Sequence, residues 1–586
     1  MCSALSNLGA TDRYVWESTP DYVPPHIQEL PEKQGFSLAK IIKFDGIVAK
    51  GVLGFILGEF FYGLKRIRLG KTRFQKTADL GIAEIIKVVN QWHRLEDFEY
   101  LFKPWTSFPR PRVADTWQTD REFGQARIAG INPAFLRKCR PEDLSVEGKF
   151  PVTDALVGDL LGGTTLATKL ENNQLYLLDF SILSDILTPE LEDQLGKYAV
   201  APLCLLQVDS QGKLMPLAIR LKQDESSQDL SVNPIFTPSS DPQAWLTAKV
   251  AVSSAEIAYQ GIVSHLLNTH LVVETFGVCT YRQFSPDHLI FQLLQPHFFN
   301  TFAINEMARG IFLGHDGFFD ETGALGYTGS NELLCRAYTG KGNNYVGDPY
   351  LFYRTALPYD LAARDVNDLP HYHYRDDAVM VWNAIQTYVS EIVGLVYAGA
   401  EEMAGDRQLQ SWIQELISPD FGRIQGLLPP EKAEQLSGLL TDRDDLVAIL
   451  TTIIFTATAQ HSAVNFGQYE YAAWVPNMPF AMYQPFDDLL QQKPEPVELV
   501  QRLPNRLQTI KQMILVKALS MPVPHSSPSL LTMANPFKDA KARRVFQTFQ
   551  DVNLHAIESK IAQRNAESDT PYIRLLPSNI AQSIAI

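Results

Sequence analysis

The chain has 586 residues, 45% hydrophobic and 20% charged, a globular composition with ample length for a large core. Its net charge of −15 argues against nucleic acid as a main partner, because phosphate binding needs clustered Lys and Arg. Five scattered cysteines, odd in number and without a CxxC pair, argue against a disulfide framework and suit reduced thiols in a cytoplasmic protein.

The N-terminus lacks a basic start followed by an apolar run, so no signal peptide is expected. Residues 1–35 are polar and proline-rich and read as irregular. Residues 36–70 differ: FSLAKIIKFDGIVAKGVLGFILGEFFYGLKRIRLG carries a net charge of +4 in an acidic protein, with apolar residues at helical spacing. That pattern suits a helix lying on an anionic membrane surface, and equally an amphipathic helix packed on the main domain. Together residues 1–80 read as an N-terminal helical extension, and 81–586 as the main domain. Strands are expected at Leu175–Leu178, Val200–Val208 and Leu214–Leu221, separated by Asn-Asn and Gln-Gly turn signals.

From Asp241 onward helices dominate. Asp241-Pro242 is a helix start, with Asp capping free N–H groups and Pro at the first helical position. The helix that follows runs into GIVSHLLNTHLVVET, which puts His265 and His270 in an apolar stretch whose one charge is Glu274. A second stretch, Leu446–Tyr469, has no formal charge yet holds His461, Asn465 and Gln468. It is long enough to cross a bilayer, but its polar residues favour a buried core helix. A capping-box pattern at Thr441–Asp444 marks its start.

His461 and Asn465, four residues apart, share one helical face. His265 and His270, five apart, sit about 140° apart on an α-helix and cannot both face one point. A π-type turn would bring them together, so a π-bulge is predicted between them. Three imidazoles and an amide oxygen suit Fe, Mn or Zn. Alone, two histidines in an apolar helix are more often satisfied core residues than ligands; three histidines and an asparagine in long uncharged helices shift the reading toward a metal. His288, His297, His371 and His373 are read as hydrogen-bonded or surface-turn residues.

These residues fall in motifs that resemble the lipoxygenases. HLLNTHLVVETFGVCTYRQFSPDHLIFQLLQPHFFNTFAINEMAR (His265–Arg309), HSAVNFGQYEY (461–471), LMPLAIRL (214–221) and ALPYDLAARDV (356–366) carry the resemblance, which extends from about Trp117 to the terminus. It implies a mainly α fold: a large helical catalytic domain with a small antiparallel sheet. It implies one non-haem iron, or manganese, held by His265, His270, His461, Asn465 and the main-chain carboxylate of Ile586. Gln468 matches the amide that hydrogen-bonds beside the asparagine ligand. Ala308 matches the position where alanine usually accompanies S products, and Phe312, one turn on, should line the same pocket.

The activity implied is insertion of O2 into linoleate-like polyunsaturated fatty acids, free or esterified, after hydrogen abstraction by a ferric hydroxide, giving fatty-acid hydroperoxides. Three departures stand out. Ala581-Gln582 replace the usual Pro-Asn before the terminal Ser-Ile-x-Ile, and Trp474–Pro479 lacks the base linked to the substrate carboxylate in plant enzymes. The chain also lacks room before Trp117 for a β-barrel lipid-binding domain, so it resembles the bacterial, cyanobacterial-type members. Residues 36–70 would then serve as the membrane-docking element of a cytoplasmic, peripheral protein. From another class, the alternative is a metal-free fatty-acid-binding or membrane-scaffold protein on the same fold.

Overall fold

The computed structural model describes residues 14–20, 23–31, 34–35, 90–103, 106, 108–147, 149–223, 230–491, 497–523 and 527–584. The basic segment 36–70, most of the expected helical extension and Ile586 lie outside the described residues. The described residues of 14–20 and 23–31 are irregular, in keeping with their prolines, and Trp16 forms an antiparallel bridge with Ile27.

Helix α1 (Asp120–Ala129) is capped by Thr119, whose hydroxyl accepts from Glu122 N. It lies on a five-stranded antiparallel sheet in sequence order: β1 (Arg137–Lys138), β2 (Leu175–Asp179), β3 (Leu203–Val208), β4 (Leu214–Arg220) and β5 (Ile235–Phe236). All three predicted strands are present. Helix and sheet approach so closely that a Cβ on Gly124 would lie 1.8 Å from the Leu214 carbonyl oxygen. Only glycine fits there. Pro216 sits opposite Leu206, where the β3–β4 register shifts and β4 has no second neighbour, the edge or bulge setting in which a strand tolerates proline.

The sheet is buried on both faces. Leu175, Leu177, Leu203 and Leu205 point into a small satellite core with Phe150, Val152 and Leu161. Tyr176, Leu178, Cys204 and Leu206 point into the main helical core. The period of two is therefore present in space although nearly every side chain is apolar.

The main core is built on two helical rods. The first runs 42 residues from Pro242 to Gln283. Asp241 caps it, accepting from Gln243 N and Ala244 N, both at 3.0 Å. The rod consists of α2 (Pro242–Tyr259), a π-helical stretch Gln260–Leu271, and α3 (Val272–Gln283). The second rod, Arg443–Ala472, contains α6 (Arg443–Phe455), a π turn Thr456–Gln460, α7 (His461–Asn465) and α8 (Gln468–Ala472). Its cap is Asp442, which accepts from Asp444 N at 2.8 Å, so the start falls one residue later than the Thr441 pattern predicted. Both rods are apolar enough to cross a membrane, yet 89% of each one's most apolar window is buried inside the fold. They are core helices.

Around them pack α4 (Thr301–Met307), which runs into a π turn at Ala308–Phe312, α5 (His373–Val396), and α9 (Arg506–Leu519). Trp382 on α5 meets Phe455 on α6 edge-on at 5.2 Å between ring centroids.

Candidate metal centre

The predicted π-bulge is present, and it does what the spacing requires. His265 and His270 both lie in the Gln260–Leu271 π stretch, and their Nε2 atoms are 3.1 Å apart. His461 follows directly on the π turn of the second rod and puts its Nε2 3.4 Å from that of His265. All three rings are buried, and their ligand atoms lie within 4.8 Å of one another.

Metal–nitrogen bonds of about 2.1 Å separate neighbouring ligand nitrogens by about 3.0 Å at right angles and about 3.4 Å at the tetrahedral angle. The observed spacings suit either geometry. Burial first, then the two neighbouring imidazoles, hold His265 well below the ordinary histidine range. It is neutral at pH 7, the form that binds a metal.

Hydrogen bonds behind the cluster orient these groups. His270 Nδ1 meets Asn305 Oδ1 at 2.8 Å, which fixes the proton on Nδ1 and leaves the Nε2 lone pair facing the cluster. Asn465 is fully buried and anchored by Nδ2 to Leu519 O at 2.9 Å. Its Oδ1 accepts from Gln468 Nε2 at 2.8 Å, as the resemblance implied for Gln468, and keeps a second lone pair. Gln260 ties the rods together through Nε2 to Val464 O at 2.8 Å.

The C-terminal tail reaches the same region. Ile580, Ala581, Ser583 and Ile584 are at most 2% exposed. The backbone of Leu530 donates to Ile580 O, and Gln582 N donates to Pro528 O. Ala581 N donates to Ser462 Oγ, on the turn that carries His461. His297 donates from Nδ1 to Gln582 O at 2.7 Å, and burial pushes its pKa down to about 4, so it is a neutral structural residue as predicted. Ser583 and Thr301 complete the clamp through Phe299 O and Ile584 O. His288 is likewise structural, paired with Asp406 at 2.9 Å.

A narrow apolar cavity opens beside His265, walled by Ile257, Phe319, Phe480 and Leu515, with Gln260 and Gln468 as further polar lining. Ala308 and Phe312 are buried but are not among its walls; Phe312 packs on Phe319, ring centroids 6.3 Å apart, and Phe319 does wall it.

Sequence reasoning missed Asn305 and the buried pair Arg127–Glu256, whose partners lie 129 residues apart in the chain. It noted Glu274 only as a lone charge. Glu274 in fact pairs with Arg309 at 2.8 Å with its own side chain wholly buried.

The fold and the cluster define a mainly helical protein with a small antiparallel sheet and a buried three-imidazole centre on two π-interrupted rods. The lipoxygenase family model matches residues 66–574, and this chain belongs to the lipoxygenase family. Among its relatives is mouse (Mus musculus) polyunsaturated fatty acid lipoxygenase ALOX8, 32% identical over 529 residues, which cover 90% of this chain and 74% of that protein. Human (Homo sapiens) hydroperoxide isomerase ALOXE3 is 34% identical over 504 residues, 84% of this chain and 66% of that protein. The structure also resembles that of a lipoxygenase crystallised anaerobically with arachidonate, with TM-score 0.83 and 27% identity, covering all of this chain and 81% of that one.

Proposed function

We propose that this protein is a non-haem iron dioxygenase that inserts O2 into linoleate-like polyunsaturated fatty acids, free or esterified, giving hydroperoxides. The observation that carries this reading is the convergence of three buried imidazoles within 4.8 Å, in a chain of this family. His265, His270 and His461 would hold the iron, joined by Asn465 and the Ile586 carboxylate; manganese would meet the same donors. When bound, the ferric ion supplies the one-electron oxidation of the doubly allylic methylene.

The chain's own residues supply position and dryness. Gln468 holds Asn465, and Asn305 holds His270, so the donors are arranged before a metal arrives. Ile257, Phe319 and Leu515 give an apolar wall for the acyl chain beside His265. The cavity has about 30 Å³ of room for water-sized spheres, far below the roughly 300 Å³ or more of typical ligand sites. Its walls must therefore separate to admit a fatty-acid tail. By the resemblance, the small side chain at 308 would leave room for O2 beside one pentadiene carbon once those walls have separated. Replacing Ala308 by Gly is expected to change product regio- or stereochemistry on chiral chromatography; an unchanged product profile removes that role. Residues 36–70 would dock a cytoplasmic enzyme on anionic membrane surfaces.

A second reading follows from the relative named as a hydroperoxide isomerase: the substrate would be a preformed fatty-acid hydroperoxide. One experiment separates the readings. Protein with a free C-terminus is given linoleate in aerated buffer while oxygen uptake, conjugated-diene absorbance and metal content are followed. Iron near one per chain with oxygen uptake and diene in step supports the dioxygenase. Iron without uptake, together with consumption of added linoleate hydroperoxide, supports the isomerase. No metal and no turnover would leave a binding or scaffold protein.

A further inference from the structure

Glu274 lies one helical turn beyond His270 on the same rod, so the two side chains share a face. It is wholly buried, in a core where an uncompensated carboxylate would be very costly. Four donors meet it. Arg309 reaches Oε2 from Nη1 at 2.8 Å and Oε1 from Nη2 at 3.3 Å. Asn305 Nδ2 donates to Oε2 at 2.7 Å, and Ile27 N approaches Oε1 at 3.5 Å.

The Asn305 contact is the informative one. The same Nδ2 also donates to His270 O at 2.8 Å, so both amide hydrogens are committed to oxygen acceptors. Turning the amide over would set Oδ1 against a carboxylate and a carbonyl oxygen. Glu274 thus selects the orientation in which Asn305 presents Oδ1 to His270 Nδ1. That orientation keeps the proton on Nδ1 and the Nε2 lone pair on the cluster.

We propose that Glu274 is a positioning residue for the metal centre, acting on His270 through the Asn305 amide, with the N-terminal strap as its cover. The strap, residues 14–20 and 23–31, lies outside the family match yet packs on this face of the rod. Ile27 is 2% exposed, Thr275 Oγ1 donates to Pro25 O at 3.0 Å, and Tyr14 stacks on Tyr281 at 4.7 Å. The inference rests on the proposed metal reading.

The test uses the full chain loaded with manganese(II). Its readouts are the rate of metal loss to an excess of chelator and the EPR spectrum of the bound ion. Glu274→Gln and Asn305→Ala are compared with their double variant. Each single change is expected to weaken metal retention about 10- to 100-fold, the usual range for a partner that orients a ligand, and to alter the EPR line shape. If Glu274 acts through Asn305, the double variant loses metal no faster than Asn305→Ala alone.

Wild-type retention by Glu274→Gln, or effects that multiply in the double variant, would overturn the proposal. Asn305→Ala leaves the Glu274–Arg309 pair in place, so it carries the test should Glu274→Gln not fold: unchanged retention there also overturns it. A wild-type chain that takes up no manganese would overturn the metal reading and this one together, whereas normal wild-type uptake with indifferent variants overturns this one alone.

Discussion

One residue added after Ile586 is expected to abolish both metal retention and oxygen uptake. The reason lies in the path of the tail. From Ile580 to Ile584 the chain is held by bonds to Leu530, Pro528, Ser462, His297, Phe299 and Thr301. Such a segment cannot slide to accommodate an insertion, because sliding breaks several buried hydrogen bonds at about 1 kcal/mol or more each. Two residues beyond Ile584 span about 7 Å, which sets how far the terminal carboxylate can reach. An added residue would move the terminal carboxylate away from the position proposed for it as a metal ligand. Metal analysis and oxygen uptake on extended and unextended protein check this; an extended chain with iron near one per chain and full turnover would refute the carboxylate ligand. An N-terminal tag serves as the control for the cost of an added tail.

The second large effect concerns Arg127 and Glu256, whose charged groups meet with both side chains only 1% exposed. Arg127→Leu is expected to destabilise the protein by about 3–5 kcal/mol near pH 8, because it strands a carboxylate in the core. Burial pushes the Glu256 carboxyl up to about 7 even with Arg127 beside it, and removing the guanidinium moves it further in the same direction. A carboxyl whose folded pKa is raised binds its proton more tightly in the folded state. Its contribution to stability is therefore present below the unfolded value of about 4.5 and lost as pH rises through the folded value. The variant's deficit should be smaller at pH 5 than at pH 8, measured by urea denaturation at both. A deficit that does not depend on pH would show that Glu256 is not the group responsible. Changing both residues to methionine should recover most of the loss, since a buried pair replaced by apolar groups of similar volume is often neutral.

The parts of this architecture that depend on local rules were readable from the residues. Five-residue spacing between His265 and His270 is incompatible with a shared α-helical face, and the chain resolves it by the π stretch that spacing demands. Asp241-Pro242 begins a helix because capping and a fixed φ act within one turn. The strands between 175 and 220 appear where apolar runs are cut by turn residues.

What was not readable depends on long-range pairing. Asn305 and Glu274 are polar residues in helices, which on periodicity alone would be placed on a wet face; their burial makes sense only once Arg309 and His270 are brought beside them. Arg127 and Glu256 belong to the same kind. The Thr441 pattern missed by one residue because Thr441, Asp442 and Asp444 are all competent caps, and packing chooses among them. Ala308 and Phe312 carry no periodic signal that says which cavity they face; both are buried off the wall beside His265, Phe312 packing on Phe319. The basic segment 36–70 and Ile586 fall outside the described residues, so the expectations attached to them stand as proposals.

The strap has a practical consequence for anyone who trims this protein. The family match begins at residue 66, which makes that position a tempting place to cut an expression clone. It would nonetheless lack Tyr14 and Ile27, which are interior residues, and would leave Arg282 and Glu415 without the Tyr14 carbonyl and the Trp16 indole that meet them. The start of the family match and the start of the buried chain are different here. A shortened clone that aggregates should be read as a missing piece of the interior before it is read as an unstable enzyme.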